Sequence, residues 1–338
     1  MRRSMTIPVL FVILCLTALI SLSVGRYPVS VGDLVRFISL QVSGHPVMDE
    51  RQCLLLENIL FDIRLPRVAA AILIGAGLSV SGAVFQSMFM NPLVSPGLLG
   101  VLAGASFGAS LGMIVAKSWL VVQLSALSFG LIAVLAALAI SAISRGDQLL
   151  MLILGGIISG ALFTSLLSVV KYLADPYEQL PAITYWLMGG LSVIDKTTVL
   201  AVCGPIAIGI LILFLLSGYL NVLSMGDEEA RLLGVNVRVL RFLFIFLATV
   251  ISALTVVMGG IIGWVGLLIP HIARMLVGPD NRILLASTAL IGATYLLIAD
   301  NIARLMFSVE IPIGILTSLV GIPFFALVLR NARKGWNR

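Results

Sequence analysis

The sequence predicts an all-α polytopic membrane protein of about ten transmembrane helices, one of them short. Of its 338 residues, 60% are hydrophobic and 11% charged, with a mean hydropathy of +1.16; an average soluble domain carries roughly a quarter charged residues. Residues 4–25, 68–116, 118–144, 148–170, 197–226, 242–270, 283–299 and 311–329 contain no Asp, Glu, Lys or Arg. A run of about 18 such residues is long enough to cross a bilayer. Both chain ends are basic, Arg2 and Arg3 at one and Arg330, Arg333, Lys334 and Arg338 at the other. Basic flanks favour the cytoplasmic side, so the number of crossings should be even.

Residues 5–25 fit a first spanning helix better than a signal sequence, because the apolar run exceeds the usual ~7 to 15 residues of a signal core. The following segment, 26–67, holds the longest polar stretch and reads as an extracytoplasmic loop with one or two short interfacial helices. The 68–116 run is too long for one span, and MNPLVSPG (90–97) divides it with two prolines, an Asn and a Gly, all turn formers. Helices follow at 68–89, 97–116, 119–143, 149–173 and 197–220. Between the last two, DPYEQLPAITYWLMGG (175–190) places Tyr177, Tyr185 and Trp186 beside prolines and glycines, as suits a short helix at the outer membrane boundary. Gly259, Gly260 and Gly263 divide the 242–270 run into spans at 238–260 and 263–277, and the last spans are 283–303 and 311–330. The whole chain, 1–338, reads as one transmembrane domain.

Ten crossings put Arg145, Arg231, Arg238, Arg241, Arg274 and Arg282 on the side of the termini, which then carries twelve of the 21 Lys and Arg residues. The bias has the expected sign. Because these cations flank apolar runs, the net charge of +6 is no nucleic-acid signal. Three cysteines, Cys15, Cys53 and Cys203, define neither a disulfide framework nor a metal site. Gly100, Gly104, Gly108 and Gly112 recur on one helical face, and Gly75, Ser79 and Gly82 nearly so on another; such spacing lets backbones approach closely within one subunit.

Two motif matches fail on chemistry. GLSVIDKT (190–197) resembles a phosphate-binding loop, but Asp195 replaces its second Gly and would set a negative charge against phosphate. GASFG (104–108) matches a nucleophile elbow, but Ser106 lies mid-helix without a partner histidine, His45 and His271 being placed elsewhere. No H-E-x-x-H occurs, so no metalloprotease is expected. An ion-coupled carrier acting alone remains the competing class, although such carriers need ionisable groups near the midplane. Asp300 and Arg304 come closest, at the outer end of a span and spaced for a local ion pair.

One polar island interrupts the lipid-soluble pattern. In SMGDEEARLLGVN (224–236), Gly226 ends the preceding span, Asp227 is a candidate N-cap, Glu228 and Glu229 suit a first turn, and Gly234 can close the C-terminus. Ala230, Leu232 and Leu233 need an apolar surface to bury against. A lipid-resting helix should be basic, since the cytoplasmic leaflet is anionic; three leading acids favour a protein partner. Arg238 and Arg241 are expected to anchor the next span at the headgroups.

RLPR (64–67), NPLVSPGLLGV (91–101), YWLMGGLS (185–192), ARLLGV (230–235), GLLIPHIAR (266–274), ADNIAR (299–304) and IPIGILTSLVGIPFF (311–325) resemble, in this order, the permease subunits of ABC importers for iron chelates, haem and vitamin B12. The resemblance covers nearly the whole chain from about residue 60. It implies a ten-helix subunit in a bacterial or archaeal inner membrane, both termini cytoplasmic, paired with a second copy around a central path. Two ATP-binding cassette subunits, which hold ATP and Mg, attach inside; a soluble binding protein docks outside. This chain itself is expected to bind no cofactor and catalyse no reaction. By the same resemblance Gly226, Asp227, Glu228, Glu229, Ala230, Arg231, Leu232, Leu233 and Gly234, within the coupling segment 224–237, sit in a groove of the ATPase. Arg64, Arg67 and Arg304 match outward arginines that pair with acids on the binding protein. The implied cargo is a metal chelate, foremost a ferric siderophore, with haem, a corrinoid or an oxyanion such as molybdate as further classes.

Overall fold

A computed structural model describes residues 3–25, 27, 29, 30, 32, 33, 36, 49–116, 118–143, 148–306 and 308–335. Among these residues the regular structure is helical. In chain order the helices are α1 (Arg3–Ser23), α2 (Glu50–Glu57), α3 (Leu65–Met88), α4 (Val101–Val115), α5 (Trp119–Ile143), α6 (Gln148–Leu173), α7 (Gln179–Leu187), α8 (Lys196–Leu215), α9 (Ser217–Leu223), α10 (Asp227–Leu232), α11 (Val237–Gly259), α12 (Val265–Val277), α13 (Asn281–Leu305) and α14 (Ile313–Gly335). A π-helical segment, Asn58–Arg64, joins α2 to α3, and a 3-10 turn, Pro96–Leu99, precedes α4.

Among the described residues, seven helical stretches are long and apolar enough to cross a membrane: α1, the joined α2–α3 stretch, α5, α6, α8, α11 and α13. The apolar parts of α4, α12 and α14 are shorter. Helices lie at the ten predicted positions, although the second begins well before residue 68, and seven of them have the length and composition of a crossing. The breaks fall where the turn formers stand, at 89–100 and at 260–264, where Gly260 and Trp264 both take positive φ.

The 26–67 loop needs correction. Residues 50–64 are helical and run directly into α3, so the polar stretch is in large part an extension of that span. Val29, Leu56 and Leu60 form a small core of their own beside it. The rest of the predicted loop lies largely outside the described residues.

α3 is the central helix: 83% of its apolar window is buried, against 11% for α1. It packs on α11, α12, α13 and α8, while α4, α5 and α6 form a neighbouring group joined to it through α11. Small residues set these distances. A Cβ on Gly82 would overlap the Gly266 carbonyl of α12, and one on Gly75 would overlap Gly292 of α13, which is itself blocked by Gly75. Gly104 and Gly108 meet the α5 backbone at Phe129 and Ser125 in the same way. The glycine stripes therefore pack helices within this one chain, as their spacing predicts.

The failed motifs acquire plain structural roles. Asp195 is the N-cap of α8, its carboxylate accepting from the Thr198 amide at 3.3 Å. Ser106 is buried within α4 and donates to the Leu102 carbonyl at 2.6 Å. Trp186, expected at the membrane boundary, is instead buried beneath the 260–264 break, with its carbonyl against Gly260; Tyr177 and Tyr185 remain exposed.

Candidate functional site

At one end of the bundle the polar island forms α10 between α9 and α11. Its N-cap is Gly226, which takes φ +119°, and Asp227 is the first helical residue, one position inside the predicted cap. Instead of capping, the Asp227 carboxylate accepts from Nη2 of Arg241, which is buried on the first turns of α11 and also donates to Gln148 of α6 at 3.2 Å. Arg241 is thus a brace between α10, α11 and α6, and not the headgroup anchor expected of it. Arg238, one turn earlier, is exposed.

The far end of α10 closes as predicted. Gly234 sits at φ +77°, the Val235 amide donates to the Ala230 carbonyl at 3.2 Å and the Gly234 amide to Arg231 at 2.9 Å. These two bonds define a Schellman closure, which requires the left-handed conformation at Gly234. Ala230 is buried against the bundle, whereas Glu228, Glu229, Arg231, Leu232 and Leu233 face outward. Of the three apolar residues in the island, one holds the helix down and two are left without cover.

At the opposite end, Arg64, Arg67 and Arg304 come together. Each is more than nine-tenths buried, and what each touches is this chain. Arg67 donates from Nε to Asp300 at 2.9 Å and from Nη2 to Glu310 at 3.0 Å. Arg304 pairs with Asp300 at 3.1 Å, the local pair that the spacing predicts, and also donates to Asn301. Arg64 donates to the carbonyls of Leu22, Ser23 and Tyr27 at the end of α1. Glu310 accepts from Ser192 at 2.7 Å, and Tyr185 donates to that hydroxyl at 3.2 Å. The network ties α1, α3, α7, α13 and the entry to α14. The resemblance implies that these arginines project toward a partner; here their guanidinium groups are buried and held by contacts within the fold. Three buried cations at one level would be untenable without the two carboxylates.

Sequence reasoning found the three arginines and Asp300 but missed Glu310 and the Arg67–Asp300 pair, whose members lie 233 positions apart. A carboxylate within an otherwise uncharged run, as Asp300 nearly is, was the available signal. Beneath the network, a cavity of about 230 Å³ is lined by Leu78, Pro96, Gly97, Gly263, Trp264 and Gly266, among others. Apart from Ser95 and the Trp264 indole its walls are apolar and backbone, with no charged group to select a ligand. Near the island, a second polar group links Gln86 and Ser87 of α3 to Arg274 of α12 and Asn281 of α13.

Comparison with known proteins places this geometry. Residues 13–331 match the model of the FecCD transport family. The chain is 40% identical over 326 residues to the molybdate import system permease protein MolB of Haemophilus influenzae, covering 96% of this chain and 95% of that one. It is 40% identical over 283 residues to the hemin transport system permease protein HmuU of Yersinia pestis, covering 81% and 84% of the two chains. Among solved structures, a chain described as a metal-chelate type ABC transporter in an inward-facing conformation superposes with a TM-score of 0.86 at 40% identity, covering 96% of this chain and 98% of that one.

Proposed function

The chain belongs to the FecCD transport family, and from that premise we propose that it is the membrane subunit of an ATP-driven importer whose cargo is a metal chelate, foremost a ferric siderophore, delivered by a soluble binding protein. A second reading has its own support: a molybdate permease matches this chain over nearly the full length of both, which favours an oxyanion cargo. In either case two copies surround the path, two ATPase subunits attach at the island end, and that end faces the cytoplasm together with both termini.

The observation that carries the reading is α10. A six-residue helix on a Schellman closure, braced by Asp227 to Arg241, leaves Leu232 and Leu233 in the open beside three acids and Arg231. Exposed leucines on a charged surface helix are costly unless a partner groove covers them, and the acids disfavour an anionic leaflet as that partner. Because α10 joins α9 to α11 through only a few residues, a displaced groove would tilt both. At the other end, the arginine network supports a rigid platform for the binding protein. Direct pairing of Arg64, Arg67 or Arg304 with that protein would require them to exchange internal carboxylate and carbonyl partners for external ones.

Reconstitution tests this directly. Liposomes holding the chain, its ATPase and its binding protein should take up radiolabelled ferric siderophore or molybdate only with internal ATP. Uptake by the chain alone under a proton gradient would establish the ion-coupled carrier instead.

A further inference from the structure

A cavity of about 410 Å³ opens at the island end of the bundle, between the end of α3, the turn that follows it, α12 and the start of α13. Gln86, Ser87, Asn91, His271, Arg274 and Asn281 supply its polar wall, and Ser224, the first residue of the island, closes one side. No Asp or Glu lines it among the described residues.

Arg274 is the focus. Its half-buried guanidinium donates from Nη1 to Gln86 Oε1 at 3.2 Å and, over a long 3.5 Å, from Nη2 to Ser87 Oγ. Both acceptors are neutral. No carboxylate lies within ion-pairing distance of it among the described residues, in contrast to Arg241 and Arg304, which each have one, and Arg67, which has two. The neighbouring acid, Asp280, is turned to the Asn221 amide at 2.7 Å and the Arg282 backbone amide at 3.1 Å. The neutral partners are themselves held: Gln86 Nε2 donates to the Leu267 carbonyl at 3.0 Å, which turns its oxygen to Arg274, and Ser87 donates to Asn281 Oδ1 at 2.7 Å. The guanidinium is therefore fixed in place without being neutralised, and of its five N–H donors the described bonds use two. Asn91 accepts from the Leu93 amide with Oδ1 at 2.9 Å, so its own N–H groups remain donors. A positioned, uncompensated guanidinium flanked by amide and imidazole donors, in a pocket free of acids, is the chemistry that recognises an oxyanion in bidentate fashion.

We propose that this cavity binds a tetrahedral oxyanion through Arg274, with His271 and Asn91 as further donors. The ligand arrives either free or as the phosphate of a phospholipid headgroup. The site does not depend on which cargo the importer carries.

The test uses the full-length chain in detergent micelles and in nanodiscs. Binding of radiolabelled inorganic phosphate is measured at low ionic strength in micelles of a maltoside detergent, which carry no phosphate; in discs containing phosphatidylglycerol, native mass spectrometry counts retained anionic lipid. Arg274→Gln should weaken binding roughly tenfold or more, as expected for loss of a charge-assisted donor. Ser224→Asp sets a carboxylate on the wall and should abolish binding while every contact of Arg274 stays intact. Arg238→Gln, an exposed cation outside the cavity, should leave phosphate binding unchanged. Phosphate binding in micelles that is lost in both cavity variants establishes a free oxyanion site. Anionic lipid retained by the parent and lost in both, without phosphate binding, establishes a headgroup site. If Arg274→Gln does not fold, Ser224→Asp alone decides. Binding of neither ligand by the parent, or equal binding by parent and folded cavity variants, overturns the proposal.

Discussion

Replacing Leu232 and Leu233 together by Ser should separate the island's two possible characters, surface loop or docking helix. In the isolated chain Leu232 is 88% and Leu233 59% exposed, so neither contributes much to folding and the double variant should be as stable as the parent. In a complex that covers both, the area still to be buried is most of one leucine and over half of the other. At about 1.5 to 3 kcal/mol for a fully buried leucine, the loss is about 2 to 4 kcal/mol, or roughly 30-fold to 1,000-fold in Kd. Co-purification of the ATPase with the solubilised chain should fall accordingly, and ATP-driven uptake with it.

Gly234→Val gives the contrasting case. Nothing lies within 4 Å of a Cβ at this position, yet its φ is +77°, so the cost is purely one of backbone conformation, about 1 to 2 kcal/mol for an ordinary L-residue and more with a β-branch. The Schellman closure would open while the leucines keep their chemistry. ATPase binding should persist, and hydrolysis should run without uptake. The readouts are co-purification, hydrolysis and transport in the same liposomes. Normal assembly and transport by the Leu232, Leu233 double variant would refute the docking role.

Further outcomes follow from the same contacts. Gly82→Ala should sharply reduce the yield of folded protein, because its Cβ would overlap the Gly266 carbonyl, whereas Gly204→Ala in α8, with nothing within 4 Å, should be neutral or slightly stabilising; size-exclusion profiles after expression compare them. Asp300→Asn should cost about 3 to 5 kcal/mol by leaving the buried Arg304 without its carboxylate, and Arg67→Gln should cost less, because Asp300 keeps Arg304; their double-mutant cycle in detergent unfolding should show a coupling above about 1 kcal/mol. Additive effects would mean that the pair at 2.9 Å carries no shared energy. Asp195→Ala should lose about 1 kcal/mol of α8 capping and leave nucleotide binding by the assembled importer unchanged, as measured with a fluorescent ATP analogue.

The spans were legible because lipid imposes a simple rule, no charge over the crossing, and Pro, Asn and Gly mark where it lapses. The extension at 50–64 escaped because it obeys a different rule. Its charges suggested a loop, but Cys53, Leu56 and Leu60 recur at helical spacing, and they pack together with Val29; the apolar periodicity was present and outweighed by composition. At the island, the closure at the left-handed Gly234 was readable from capping chemistry, whereas the N-cap fell at Gly226, one residue before the expected Asp227. Asp227 and Arg241 were assigned separately, to a cap and to the headgroups, because sequence shows which charges exist and not which of them meet across a turn. The arginine network at the opposite end escaped in the same way, since Arg67, Asp300 and Glu310 are brought together only by the tertiary fold.

These contacts constrain how the chain can move. α3 is held to its neighbours at three levels: by Arg64 and Arg67 at the end opposite the island, by Gly75 against Gly292 and Gly82 against Gly266 along its length, and by Gln86 and Ser87 at the island end. Where two backbones meet without room for a Cβ, one helix cannot slide past the other without clashing, so α3, α12 and α13 must move together. α11 is different. It is braced to the island through Arg241 and ends at Gly259, and five residues with left-handed geometry at Gly260 and Trp264 separate it from α12. Displacement applied at Leu232 and Leu233 therefore reaches α11 before it reaches the α3 group, and the 260–264 break, on the wall of the apolar cavity, is where the difference between them must be taken up.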